Sequence, residues 1–496
     1  MYDEESARQA AEGLFAKNKR RAADSLSRGA YDSAAFYIER SATIMYKYSF
    51  VYKDDDLEHM LGLLADVVRT KADHCEAVEE SGSVGNKVTL IDSFGFSLRG
   101  LAWIYAKGII DLGYALQYVV PIAAKESEEF RLLRDYLEDV GATILYVPHA
   151  GLMTRAPFIV RSILEFGSAS VFLHGTPWDV SSLAAIAALP DGVKKHQINL
   201  TDHAFWLGSS VFDWCVEFRE YGAAVSVKRR GIAPDRLALI PYYPAQAIAT
   251  VPFSGLPFGE DDAFFVSGGA AYKTEGDIAF PELVSNVLNR HQDLKFLYLG
   301  NETPSWFDDI KSEYQNRVYL QKERQDLVEV FRRSIFYLNT YPVYGALMTQ
   351  IAAYSGKVPV TVMLEGIEPA SSLLVGSAVE VDYPSVGDAL LEIDRLVSDE
   401  GYREARNREM KQSVGSPVEF ARVLELLMSG EPLRPAPDFV LNDEKLHSAC
   451  IGKGAERFGL AKVAFCRDSL RHRTIFDLET WVALFCRAYD KLARRR

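Results

Sequence analysis

Cysteine is scarce and scattered in this chain. Five residues in 496 (Cys75, Cys215, Cys450, Cys466 and Cys486) include no C-x-x-C pair. That argues against a disulfide framework and a zinc ribbon, and suits reduced, buried thiols in a cytosolic protein. Long hydrophobic runs are missing too: none approaches the ~20 residues of a membrane helix. The opening residues, MYDEESARQAAEG, are acidic and polar, so no secretory signal is expected there. Positive charge is in deficit, 55 Lys and Arg against 68 Asp and Glu, for a net charge of −13. That balance argues against broad nucleic-acid binding. There is no Walker signature and no G-x-G-x-x-G.

The composition that remains is that of a soluble globular protein, 48% hydrophobic and 25% charged. The length suits two or three domains. Residues 1–85 read as a helical extension, with apolar positions at helical spacing and a break at SRGAYD. Gly29, Ala30, Tyr31 and Ala34 look like one tetratricopeptide-type unit, too few for a solenoid. From KVTLIDSF, residues 86–245 alternate strand and helix, with candidate strands ALQYVV, ATILYVP, ASVFLHG, HQINLTD, AVSVK and LALIPYY. YYPAQAIATVPFSGLPFGEDD reads as a linker. Residues 246–430 repeat the alternation, from AFFVSGG through LKFLYLGN, RVYLQK and IFYLNTYP to AVEVDY. Residues 431–496 read as C-terminal helices packing back on the fold. The expected class is therefore α/β, with two doubly wound Rossmann-like domains.

Three strand ends in the second domain carry chemistry. FFVSGGAAYKTEGD sends a strand into Gly268 and Gly269, which let a phosphate approach the backbone, with Lys273 as a point charge. VYLQKERQD ends a strand at Gln321 and Lys322, a backbone-lined loop suited to a nucleobase edge. YPVYGALMTQIAAYSGKVPV places Tyr344 and Gly345 before a helix, with Thr349 and Gln350 positioned for ribose or phosphate. A buried turn without a ligand gives the same local pattern at any one of them. All three fall on the carboxyl edge of one inferred sheet, where such sheets bind ligands.

These segments resemble the donor-binding domain of GT-B-fold glycosyltransferases, particularly the group 1 (family 4-like) enzymes that build bacterial surface polysaccharides. The matching stretch runs from Ala263 to Val360. The resemblance implies a nucleotide-diphosphate sugar, UDP-sugar type, as donor substrate in a cleft between two domains. It implies no cofactor and no metal. The sequence departs from the family pattern where two carboxylates belong: Tyr344 stands at the first position, and the second falls at Gln350 or Ile351. Stereochemistry is left open.

The first domain is then expected to supply the acceptor side and the general base. His203, His174 and His149, in that order, each follow a candidate strand, and Asp202 can serve as base or orient a histidine. Arg99 and the cations of KRRGI (Lys228 to Ile232) suit either donor phosphates or a solvated loop. Expected partners are the nucleotide sugar and a glycan, lipid-linked or protein acceptor, with the N-terminal helices available to a protein partner. The basic C-terminal stretches CRDSLRHR and RAYDKLARRR suit a solvated helix end or peripheral contact with the inner face of a membrane. Two other readings share this architecture: a sugar-nucleotide epimerase, and a catalytically silent, partner-binding subunit.

Overall fold

A computed structural model describes residues 4–48, 51–73, 86–95, 101–245, 251–275, 278–363, 369–375, 379–431 and 441. Arg99, the 431–496 helices beyond Glu431 and the basic C-terminal stretches lie outside the described residues. The chain divides into two compact units: one within 1–97, 105–240 and from 423 on, the other within 98–104 and 241–422.

The first unit opens with α1 (Glu4–Ser27), α2 (Tyr31–Tyr48) and α3 (Asp55–Asp73). The break at SRGAYD is a tight turn with Gly29 at φ +68°. Ala30 N–H donates back to Ser25 O (2.9 Å), closing the α1 terminus. A seven-stranded sheet follows. Its elements are β1 (Lys87–Asp92), α4 (Ala102–Asp111), β2 (Ala115–Pro121), α5 (Glu128–Asp139), β3 (Thr143–Val147), α6 (Leu152–Phe166) and β4 (Ser170–His174). The chain continues through α7 (Val180–Ala188), β5 (Lys194–Ile198), β6 (Trp214–Glu217), α8 (Glu220–Lys228) and β7 (Leu237–Leu239). The strand order is β3-β2-β1-β4-β5-β6-β7, all parallel.

The candidate strand AVSVK is instead the end of α8. Its β-branched alternation is overridden because the apolar run just before it, WCVE, fills the β6 slot, and the chain must cross over before pairing again.

The second unit holds β8 (Phe264–Gly268), α9 (Ala279–Arg290), β9 (Lys295–Leu299), α10 (Phe307–Tyr314), β10 (Val318–Gln321), α11 (Leu327–Arg333) and β11 (Tyr337–Leu338). Then come α12 (Ala346–Tyr354), β12 (Pro359–Val362), β13 (Asp382–Tyr383), α13 (Val386–Ser398), α14 (Glu400–Gln412) and α15 (Pro417–Ser429). Its order is β10-β9-β8-β11-β12-β13, again parallel. The strands are near-continuous apolar runs such as FFV and FLYL, as a sheet covered on both faces requires. In each unit the chain reverses its direction of strand addition once, between β1 and β4 and between β8 and β11. Those are the switch points where loops part to admit a ligand.

The N-terminal helices share one continuous core with the first sheet. Ile38, Leu61 and Val68 are fully buried in the same cluster as Ile159, Ile163, Leu183 and Ile186. Three polar contacts fix the register. Asp32 on α2 accepts from Met153 N–H (3.0 Å) and so caps α6. A Cβ at Gly151 would sit 2.6 Å from that carboxylate, so a larger residue there would displace Asp32 from the cap. Glu58 on α3 accepts from the amides of Gly208, Ser209 and Ser210 (2.8, 3.1 and 3.2 Å) and from Ser210 Oγ (2.6 Å). Arg69 donates to Ala187 O and Ala188 O (3.0 and 3.2 Å), closing the end of α7.

Glu58→Ala strands three amides under the α3 helix. It is expected to destabilise the first unit by about 2–4 kcal/mol, and Glu58→Gln by less, since an acceptor remains. Urea denaturation of both variants checks this; an unchanged midpoint for Glu58→Ala would refute the role.

Candidate functional site

The second unit's switch point is built from two loops that hold each other. The loop after β8 begins at Gly269, whose φ of +152° favours glycine. Lys273 O accepts from Val343 N–H (3.3 Å), and Lys273 Nζ donates to Tyr344 O (3.4 Å). The loop after β11, residues 341–345, is thus tied at two points to the Lys273 turn.

Its shape is set by Asn339, a buried side chain that sequence reasoning missed. Asn339 Oδ1 accepts from Thr340 N–H (3.0 Å), Gly345 N–H (2.8 Å) and Tyr337 O–H (3.0 Å). Its Nδ2 donates to Thr349 Oγ1 (2.9 Å) and Thr361 Oγ1 (3.0 Å). All its side-chain capacity is used, so the N-terminus of α12 is locked in front of the loop. The first-turn amides of α12 have no intrahelical acceptor and point toward the loop, with the helix dipole behind them. The signal was a lone polar residue closing an apolar strand, in FYLNT.

The predicted donor residues divide on this geometry. Lys273, Tyr344 and Gly345 gather at the two coupled loops, and Gly269 opens beside Lys273, whose Cδ lies 3.2 Å from a built Cβ. Gly268 does something else: a Cβ there would meet Leu299 O at 2.4 Å, so its missing side chain lets β8 and β9 close. Thr349 and Gln350 were expected to reach ribose or phosphate, and neither side chain is open. Thr349 Oγ1 donates to Gly345 O (3.0 Å), and Gln350 Nε2 to Leu373 O (3.2 Å), both fully buried. The reason is helical phase: positions 349 and 350 face the sheet and the 370–373 turn. Gln321 Oε1 accepts from Arg324 (2.8 Å), while Lys322 and Glu323 of that loop are exposed. Arg324 in turn forms a two-pronged pair with Asp326 (2.8 and 2.6 Å).

In the first unit the three histidines occupy different environments. His174 is fully buried and cannot reach a substrate. Its Nδ1 lies 2.9 Å from Asp92 Oδ1, and Tyr118 O–H donates to the other oxygen (2.5 Å). Asp92 also accepts from the amides of Phe94 and Gly95 (3.1 and 3.2 Å). This set braces the β1–β4 switch point. His149 is exposed just past β3. His203 is half exposed, with Nδ1 3.4 Å from Asp202 Oδ1 and its ring 6.5 Å from that of Tyr46 on α2.

Asp202 is itself buried and bridged by Arg219, whose Nη2 lies 3.0 Å from Oδ1 and whose Nε pairs with Oδ2. Burial works against its charge. The Arg219 cation and the hydrogen bonds from His203 and Arg219 outweigh that and hold the carboxyl well below the usual range. A carboxylate so held cannot take a proton near neutrality; it can orient His203. Within KRRGI, Arg230 is fully buried, donating to the carbonyls of Asp202 and Ala204. It is a scaffold for the 201–204 loop and takes no place among outward-facing phosphate ligands. Among the described residues no group of His, Cys, Asp and Glu could hold a metal ion, and no helix is long and apolar enough to cross a membrane.

No family model and no curated protein matches the sequence. Solved structures do. A Listeria monocytogenes protein assigned the name UDP-N-acetylglucosamine 2-epimerase is 13% identical over 71% of this chain and 99% of its own, with a TM-score of 0.50. A Thermobaculum terrenum O-GlcNAc transferase is 14% identical over 91% of this chain and 88% of its own (TM-score 0.49). Anabaena HepE, solved with UDP and glucose, is 11% identical over 70% and 100% (TM-score 0.49). The first of these likenesses shows the fold: two parallel-sheet α/β units of the GT-B kind.

Two variants check the geometry. Asn339→Ala is expected to cost about 2–4 kcal/mol and to speed amide exchange across 340–349; unchanged exchange there would refute the hub. Asp202 contributes stability above the usual carboxylate range and loses it as pH falls through its lowered folded value. Removing its partner in Arg219→Met should therefore cost about 3–5 kcal/mol at pH 7, with the gap from wild type narrowing below about pH 4. A gap that holds or widens on acidification would overturn the pairing.

Proposed function

We propose that this protein is a glycosyltransferase that moves a sugar from a nucleotide-diphosphate sugar to a glycan, lipid-linked or protein acceptor. The observation that carries the reading is the coupled pair of loops at the β8–β11 switch point, where Lys273 and Tyr344 meet in front of α12. A diphosphate placed there meets the Lys273 ammonium, the freedom of approach at Gly269 and the α12 amides held by Asn339. The exposed Lys322 loop lies at the carboxyl end of β10 in the same sheet, where a nucleobase edge belongs. A UDP sugar is the donor class to try first, being the class named for the Listeria protein of like fold.

Transfer also needs a base for the acceptor hydroxyl, and His203 is the candidate. With Nδ1 turned to Asp202, Nε2 is the nitrogen left to take the proton. The acceptor oxygen bonds to the anomeric carbon as the bond to the diphosphate oxygen breaks. The charge that develops on the departing diphosphate falls to Lys273 and the α12 amides. No step requires a metal.

A second reading, a sugar-nucleotide epimerase, draws on the like fold of the Listeria protein and on Tyr344 and either Gln350 or Ile351 standing where the transferase pattern has carboxylates. It would use the same donor loops and release an isomer of the nucleotide sugar without an acceptor.

A panel of nucleotide diphosphates and nucleotide sugars should raise the melting temperature selectively, by about 2.7 kcal/mol of stabilisation at a hundred times Kd. Lys273→Ala and Gly269→Trp are expected to abolish the shift. His203→Ala should bind donor normally and lose roughly 10²–10⁴ in kcat. Isomer formation without an acceptor would replace the transferase by the epimerase. A flat response to every nucleotide sugar would sink both and leave a silent, partner-binding subunit.

A further inference from the structure

We infer that the switch point of the first sheet carries a second binding site, selective for a saccharide that bears an anionic group, with Arg155 reading the charge and Trp178 supplying the ring platform. The β1–β4 crevice opens into a cavity of about 560 Å³, within the roughly 300–1,000 Å³ range of small-ligand sites. Its walls come from the ends of four strands, the first turns of α6 and α7, and Glu39 of α2.

Arg155 lies in the first turn of α6. Its Nε is buried without an acceptor, and no described residue forms a hydrogen bond or ion pair with its guanidinium. A guanidinium is a planar fork of donors matched to carboxylate and phosphate oxygens. The acidic groups of the cavity are not its partners. Asp179 is occupied: it accepts from Ser93 Oγ (2.5 Å) and from the Ser182 amide (3.1 Å), capping α7. Glu39 is exposed at the rim. The cation set inside is therefore matched by an anion that arrives from outside. His149, exposed on the same wall, adds a second nitrogen for that group.

The remainder of the wall suits a sugar ring. Trp178 is half buried and set edge-on against Tyr46 (ring centroids 5.2 Å apart, planes at 66°). It offers a fixed indole beside the hydroxyls of Thr176 and Ser181. Tyr46 also neighbours His203, so the aromatic ridge runs from the cavity to the proposed base. In calling the saccharide an acceptor this inference rests on the transferase reading; the binding site itself does not. The N-terminal helices become part of that site through Glu39 and Tyr46.

Isothermal titration calorimetry on the full-length protein tests it with four probes: methyl β-D-glucuronide, glucose 6-phosphate, neutral methyl β-D-glucoside and inorganic phosphate. At least one anionic sugar should bind tenfold or more tighter than the glucoside. Arg155→Gln should erase that preference and Arg155→Lys should keep part of it, each variant first shown to be folded by its near-ultraviolet circular dichroism. Trp178→Ala should weaken every sugar, with Trp178→Phe rescuing. A response to the glucuronide alone assigns the anion as a uronate carboxylate, and to the phosphate sugar alone as a phosphate ester. Equal binding of charged and neutral sugars, preference surviving in Arg155→Gln, or inorganic phosphate binding as tightly as the sugar phosphate would overturn the proposal. Anionic-sugar selectivity without any response to nucleotide sugars would leave this site standing and remove the transferase. Nucleotide-sugar binding without that selectivity would do the reverse.

Discussion

A parallel strand cannot hydrogen-bond to its successor until the chain has crossed back over the sheet. Every strand pair in both units is parallel, so this constraint sorts the whole chain. Crossover helices cover the faces, and every loop that follows a strand emerges on one edge. Where the order of strand addition reverses, adjacent loops diverge. Asp92, His149 and Thr176 reach one such edge, and Gly269, Lys273 and Asn339 the other, although long sequence intervals separate them.

Divergent loops would be soft if nothing braced them. Each unit solves this with a buried polar side chain at the end of a switch-point strand. In the first, Asp92 binds His174, Tyr118 and two amides. In the second, Asn339 engages Tyr337, Thr349, Thr361 and two amides. Buried polar groups are stabilising only when all their partners are present. Both carboxylate oxygens of Asp92 and both ends of the Asn339 amide are engaged, which braces the loops where a ligand would contact them. A further buried pair, Asp202 with Arg219, does the same for the His203 loop. In each case the braces are inside and the groups that could meet a ligand are the ones left over.

That division explains what was legible in the sequence. Strand–helix alternation and Gly-bearing strand ends are local signals, so the two-sheet architecture and the loops at Gly269–Lys273 and Tyr341–Gly345 could be read directly. The braces are not local. Asn339 looks like one polar residue after YL until Thr349 and Thr361 are brought beside it. Thr349 and Gln350 looked available because the pattern does not give the rotation of a short helix. AVSVK carries strand-like residues, and only the competing strand at WCVE decides against it. His174 followed a strand as His203 did; burial, which depends on the neighbouring strands, separated them. Arg155 stood in LYVPHAGLMTRAP without distinction, since its lack of a partner is a property of the folded surroundings.

The helical extension is sealed to the first sheet by a shared core and by Asp32, Glu58 and Arg69. It is also made before that sheet. The core it shares is complete only when the ribosome has added the chain from Asp73 to Phe212, the last residue of that cluster. At ~5–20 residues per second that interval is roughly seven to thirty seconds, long compared with the microseconds in which such helices form. During synthesis the extension therefore waits with part of its apolar surface uncovered, a natural client for a chaperone that shields such surface.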